Sequence, residues 1–483
     1  MSQWTMQDIA DLSIDGVSDA EMDTIRDLVK VWQDRLDRNV ERTLYYDGEQ
    51  AFKDLNLMLP PQLKNAKFYL GWANMAVRKL AVRSQFDGIR LPGSDDPFDL
   101  NDILAANNFG LEFSQSVVSG YKHGVSFVTV ARGAAGEPDV QIQAHEASSS
   151  SALWDYRNRR IRAALSVSET DKKGPTAFVV YLGHVVLVCE RNDSGRWSAE
   201  RIANPVGRAL VVPVPSDPQT NKPFGRSRIT QPVMALTDMA VRAYVRMEGN
   251  AEFYSSPQLA IEGIDPEAFD NVSEQKKFKL AMDRLIALTR DENGDAPSVK
   301  QLQQATMTPH SDMLRTVAMA FSGETGIPPS SLGIIHDQPS SAEAIRANEH
   351  DLLIDVQYQN KFVLSSAVKQ IAQYAVMVRD GLSDPPAESH KLSTVFLDPE
   401  FRSMSARADA AVKLSSIPAL ADSTVVLEEI FDEGQIQRIQ ADRRSSSVAS
   451  FMSRIAELEP RSGRARAAAD AGVMNDDDSV QSD

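Results

Sequence analysis

The chain has 483 residues, 42% hydrophobic and 24% charged, the balance of a globular protein with room for two or three domains. Its 51 Lys and Arg face 67 Asp and Glu, a net −16, which argues against clamping nucleic acid by bulk charge but not against a surface that DNA slides past. The single cysteine, Cys189, excludes an intrachain disulfide and a cysteine-based zinc site and points to a reducing compartment. Asp8, Asp11 and Asp15 stand where a signal peptide would be basic and apolar. The longest apolar run, Phe178 to Cys189, is broken by Gly183 and His184 and is too short to span a bilayer, so no membrane is expected.

Ser18 and Glu21 make an S-x-x-E capping box that opens a helix to about Arg42, with Ile25, Leu28, Val29, Trp32, Leu36 and Val40 on its apolar face. Tyr45-Tyr46-Asp47-Gly48 ends it. A second helix is expected near Asn65 to Arg83, and a third from about Leu100 to Ser119. At Gly124 the texture changes to short β-rich runs: Val125–Val130, Val140–His145, Ile161–Val167, Ala177–Tyr181, Val185–Cys189 and Trp197–Ile202. Turn residues separate them, so the reading is an antiparallel meander, with Cys189 a buried strand thiol. The first 225 residues thus read as a helical layer on a sheet, an α+β domain.

Pro213 to Pro223 is a proline-punctuated connection, after which Gly225-Arg226-Ser227-Arg228 leads into a helix over about Ile229 to Phe253. Residues 256–307 read as a small module with a strand at Gln258–Ile261 and a polar helix at Glu274–Met282. Within it, Leu285–Thr289 and Ser298–Leu302 flank the Asn293-Gly294 turn, a hairpin signal. A helix at Ser311–Gly323 follows. Gly326-Ile327-Pro328-Pro329 is an apolar turn, and Ser340 with Glu343 caps a helix free of Gly and Pro up to Asp380. Such a helix would reach ~60 Å, long enough to act as a strut. A strand at Ser393–Leu397 is expected to return to the first sheet. Helices follow near Arg402–Leu414, Thr424–Phe431 and Gly434–Glu459, then an acidic tail.

Catalytic constellations are missing. There is no P-loop, no G-x-G-x-x-G and no G-x-S-x-G elbow. His145-Glu146 lacks the second His of a metalloprotease helix. Ser366 and Lys369 match S-x-x-K inside the long helix without companion motifs. Asp291, Asn293 and Asp295 start like a calcium loop, but the Gly comes too early and no Glu closes it. The densest basic cluster is Arg157, Arg159, Arg160 and Arg162, expected to project to both faces of a solvated strand edge. No cofactor, metal or catalytic residue is assigned, and the chain reads as a structural or assembly protein rather than an enzyme.

Several stretches together resemble the portal proteins of tailed bacteriophages, especially the siphophage type of actinobacterial phages. They are Tyr45-Tyr46-Asp47-Gly48; Gly120 to Val128; Trp154-Asp155-Tyr156 with Arg160 to Leu165; Gly225 to Ile229; and Gly326 to Gly333 with Ser340 to Ile345. Their order carries the likeness over roughly residues 20–420. The resemblance implies a portal fold: a wing of helices and antiparallel sheet over 1–225, stem helices at 226–255 and 308–325, and a small α/β clip at 256–307. It further implies a tunnel loop at 326–341, a long wing helix with a return to the wing over 342–420, and a helical crown and tail over 421–483. It also implies a ring, usually dodecameric, at one capsid vertex of the virion, assembled in the host cytoplasm, through which double-stranded DNA is packaged and ejected. Partners would be the terminase large subunit, the head–tail adaptor, and the major capsid and scaffolding proteins. Tunnel residues would be Ile335, His336, Asp337 and Gln338, a stretch without Lys or Arg, and motor contacts Asp291, Glu292, Asn293 and Asp295. Two other readings stay open: another capsid-associated minor head protein, and a metal-dependent nuclease.

Overall fold

A computed structural model describes residues 12–50, 68–92, 94, 96–172, 174–254, 259–262, 298–301, 306–334, 342–400 and 404–418, with short pieces between 426 and 443. The chain divides into two units, Met1–Pro399 and Glu400–Asp483.

In the first unit, β1 (Ile14–Asp15) precedes α1 (Asp19–Asp47). The Ser18–Glu21 capping box forms, and the Glu21 carboxylate accepts the Ser18 backbone N–H at 3.0 Å. The same carboxylate is gripped by both Arg201 nitrogens, at 2.8 and 2.9 Å, and lies 3.0 Å from His184 Nε2. Chiefly through Arg201, and against the opposing effect of burial, Glu21 is held well below the usual carboxylate range. Gly48, left-handed at φ +72°, ends α1. α2 covers Trp72–Ala81, starting later than the periodicity suggests; residues 65–67 lie outside the described set. β2 (Phe86–Arg90) follows.

The expected third helix is two: α3 (Leu100–Ala106) and α4 (Phe109–His123). Asn108, left-handed at φ +48°, breaks it, and the Asn107 side chain donates both to Ile103 O of its own helix at 2.8 Å and to Val140 O at 2.7 Å.

The meander is two sheets. β3 (Val125–Arg132) pairs with β4 (Val140–Glu146) and with β10 (Val211–Pro215). The six-stranded sheet runs β1-β9-β8-β7-β6-β5. Its members are β5 (Ser150–Asp155), β6 (Arg160–Asp171), β7 (Gly174–Tyr181), β8 (Val185–Arg191) and β9 (Trp197–Ala203). The stretch around Pro213, read as a connection, is therefore a strand. Its prolines are tolerated because β10 is an edge. Cys189 is a fully buried strand thiol, and burial pushes it up to about 12. The Met22, Ile25, Leu28 and Val29 stripe of α1 packs on Leu165, Phe178, Val180, Leu187 and Cys189 of the large sheet. Phe127, Ile161, Tyr181 and Val211 fill the seam between sheets.

α5 (Gln231–Tyr254) leads to β11 (Leu259–Glu262), which pairs antiparallel with β12 (Ser298–Gln301). β12 thus pairs with the strand that opens the small module; the expected partner at Leu285–Thr289 lies outside the described residues. α6 (Thr308–Thr325) returns. The long helix runs from Ala342 to Asp380, as α7 (Ala342–Tyr358), a π-helical turn (Gln359–Leu364) and α8 (Ser365–Asp380). Its stripe of Leu352, Val356, Val363, Ile371, Tyr374 and Val378 is buried. The Ser340–Glu343 cap lies outside what is described. β13 (Ser393–Phe396) pairs with β2, not with the first sheet. The aromatic cluster of Phe86, Phe109, Phe113 and Phe396 explains the choice.

The second unit contains α9 (Met404–Ser415), with Ala411 buried. No helix among the described residues is long and apolar enough to cross a membrane.

Candidate functional site

Two glycine-bearing stretches noted in the sequence, Gly120–Val128 and Gly225–Ile229, meet in space. Ser216 N donates to Gly124 O at 2.8 Å, and Arg226 N donates to Ser216 O at 2.7 Å. Ser227 Oγ donates to Lys122 O at 2.6 Å and accepts from Ile229 N at 2.9 Å. Arg228 N reaches Tyr121 O at 2.9 Å. The chain leaving β10 is thus pinned along the end of α4 before it turns into α5. Thr230 then accepts the Val233 N–H at 3.3 Å, as an N-cap does.

From this junction α5 and α6 run as an antiparallel pair. Thr230 Oγ1 meets Glu324 Oε1 at 3.2 Å at one end, and Asn250 Nδ2 meets His310 Nε2 at 2.5 Å at the other. Between them Val233, Ala240, Ala243, Val317, Ala318 and Phe321 are buried, the alanines letting the helices approach. Trp72 packs on Phe321 with ring centroids 5.0 Å apart. At the base, the Arg228 guanidinium donates to Thr325 O, at the end of α6, and to Asp355 Oδ2 on α7 at 3.3 Å. Arg83 reaches Glu349 on the same helix at 2.8 Å. Arg228 therefore fixes the long helix to the root of the pair, and Arg83 fixes it to the end of α2.

The Tyr45–Gly48 stretch joins the same frame. Tyr45 OH donates to Asp238 Oδ2 on α5 at 3.0 Å, and Gln50 bonds the other oxygen at 2.9 Å. Burial first, and the Asp238 charge second, push the Tyr45 phenol well above its ordinary value. Lys122 and His123 at the end of α4 both reach Glu146, His123 at 2.9 Å. Burial opposes ionisation of Glu146, but the His123 and Lys122 hydrogen bonds outweigh it and hold the carboxyl well below its usual range. Arg42 donates to His123 O at 2.8 Å, and burial draws its guanidinium down to about 10. His145 faces elsewhere, 3.0 Å from Thr129 Oγ1 and 2.9 Å from Ser166 Oγ. The His145-Glu146 dyad is thus split between two networks.

The tunnel candidates Ile335, His336, Asp337 and Gln338, and the contact candidates Asp291, Glu292, Asn293 and Asp295, lie outside the described residues. Their flanks are described. The first loop leaves Gly326, left-handed at φ +71°, and the 3-10 turn Pro329–Leu332; the second is carried on β11 and β12 beyond the pair. Ser366 and Lys369 are ordinary helix residues, Lys369 bonding His390 O. The arginine cluster is not a flat strand projecting to both faces: Arg157 and Arg159 sit in a turn, and Arg162 is exposed at a bulge. Among the described residues no group of three His, Cys, Asp or Glu could hold a metal. Sequence reasoning missed the roles of Asp238, Asp355 and Glu349; each acts across more than a hundred residues, and no local signal marks it.

The sequence profile described as "Phage portal protein, SPP1 Gp6-like" matches residues 26–447. The portal proteins of Mycobacterium phages L5 and D29 are each 28% identical over 405 residues, covering 80% of this chain and 81% of theirs. Among solved structures, a chain in the neck of a native GTA particle, computed with C12 symmetry, aligns over 80% of this chain and 98% of its own, with a TM-score of 0.41 and 14% identity.

Proposed function

Because this chain belongs to the SPP1 Gp6-like phage portal proteins, we propose that copies of it close into a ring, dodecameric as the family resemblance implies, around a tunnel for double-stranded DNA. The observation that carries this reading beyond the family is the α5–α6 pair. It is tied at both ends and rooted on the long helix through Arg228, and it holds the 255–307 excursion at its far end. In the ring, α5 and α6 are the stem, 256–307 the clip that meets the terminase motor and later the head–tail adaptor, and 326–341 the tunnel loop. Residues 1–225 with the long helix and β13 form the wing, and 421–483 the crown. Large apolar side chains left half exposed on the long helix, Ile354, Tyr358 and Phe362, suit burial against neighbouring copies.

A structural conduit rather than an enzyme fits the absence of a catalytic constellation from the whole sequence. Copies at −16 each surround the bore with a negative field, which lets DNA pass without gripping it. Electron microscopy of the purified protein, with a native mass, tests the reading: rings with a central hole support it, and a lone subunit at every concentration refutes it. Asp337→Asn should slow DNA passage modestly and leave rings intact; rings that dissolve instead would remove Asp337 from the tunnel wall.

A further inference from the structure

The hairpin joining β5 to β6 concentrates positive charge that forms no ion pair with a carboxylate among the described residues. Asp155 pairs with Arg160 to close it, and Tyr156 to Arg159 form the turn. Asp155 is the only acid between Trp154 and Arg162, and that carboxylate is committed to the turn. It accepts the backbone N–H groups of Arg157 at 2.9 Å and Asn158 at 3.1 Å, and the Asn158 side chain at 2.6 Å. Arg159 holds a left-handed φ of +54°. The ladder then skips a residue: Leu153 pairs with Ala163 and Trp154 with Ile161, so Arg162 is the unpaired bulge residue. The bulge turns it outward between two buried neighbours. Arg157, Arg159 and Arg162 are exposed, and none of the hairpin's four guanidinium groups forms an ion pair with a carboxylate among the described residues. Tyr156, 63% exposed, stands among them. Arginine and tyrosine together are the residues that interfaces favour.

The complementary surface is the outer face of α1. Asp23, Asp27, Asp34 and Glu41 are all exposed. At 100° per residue they fall within an arc of roughly 40°, opposite the stripe that packs on the sheet, and span ~27 Å along the helix. Lys30 and Arg38 are the bases near that line, and Asp23 also meets Arg26 at 3.2 Å. Within one subunit the two surfaces form no ion pair among the described residues. α1 lies on the face of the sheet with its acids turned away, and β5 is the outermost strand of that sheet. A second copy can supply the contact, and one patch meeting a different patch is the head-to-tail geometry that builds rings.

We propose that the arginine hairpin of one subunit docks on the acidic outer face of α1 in the next. The proposal rests on the ring reading and identifies one of its contacts. Charge complementarity selects a second copy over nucleic acid, because the surrounding chain repels phosphate while offering an acidic helix.

The test is charge reversal and swap in the full chain, with native mass and sedimentation as readouts. Arg157→Glu, Arg159→Glu and Arg162→Glu together should raise the concentration for half-assembly by roughly tenfold or more, and added salt should weaken wild-type assembly in the same direction. Combining them with Asp23→Arg, Asp27→Arg and Asp34→Arg should restore assembly, which a merely misfolded variant would not show. Rings indifferent to both sets overturn the docking and leave the ring standing. A reversal variant that assembles normally but loses retention of short duplex DNA overturns it in favour of a phosphate contact. A wild-type chain that never assembles overturns docking and ring together.

Discussion

Adding one methyl group at Gly225 tests the junction most directly. Gly225 has φ +68°, and a Cβ there would lie 2.0 Å from Ser216 O and 2.9 Å from Gly124 O, both backbone atoms. Ser216 O is the acceptor for Arg226 N, and Gly124 O the acceptor for Ser216 N. The backbone must therefore open where β10 hands over to α5. A left-handed alanine costs about 1–2 kcal/mol, and loss of one of these hydrogen bonds adds about 1 kcal/mol, so Gly225→Ala should lose about 2–3 kcal/mol. Gly48 is the internal control. Its φ is +72° with nothing within 4 Å of the Cβ position, so Gly48→Ala should show the φ cost alone. Urea unfolding of both variants beside wild type, followed by thermal melting, gives the comparison. At the few degrees per kcal/mol expected of larger domains, Gly225→Ala should melt roughly 4–12 °C lower. Equal losses at the two glycines, or a Gly225→Ala midpoint within about 1 °C of wild type on the same melting scale, would refute the close-approach argument.

Phe321→Ala should destabilise by about 3–5 kcal/mol, because the ring is fully buried against Trp72; chemical denaturation measures it, and a loss near that of a surface substitution would show a collapsible site. Cys189 should resist thiol reagents in the folded protein even at pH 8 and react fully in denaturant, since it is buried and its thiol is pushed up to about 12; fast modification of native protein would contradict its placement. Burial pushes His145 down to about 4, so it is neutral between Thr129 and Ser166 while the unfolded chain takes the proton first. That contribution is complete above the unfolded value near 6.5 and is lost as pH falls through about 4. Stability measured across this window should fall, and fall less in His145→Asn.

What could be read from the chain alone was what neighbours in sequence decide. The Ser18–Glu21 box, the stop at Gly48, the apolar face of α1 and the β-rich runs after Gly124 all appear, because caps, helical periodicity and alternation act within a few residues. The order of the portal-like stretches was legible for the same reason. Partner choice was not. That β13 seeks β2, that Pro213 sits opposite Phe127 in a strand, that β12 joins β11, and that Arg228 bridges Thr325 and Asp355 depend on surfaces that exist only once distant segments have packed. The arginine cluster shows the division within one hairpin. Its composition is plain in the sequence, but its bulge and its place at a sheet edge come from the ladder, where a register shift of one residue decides which way a side chain points.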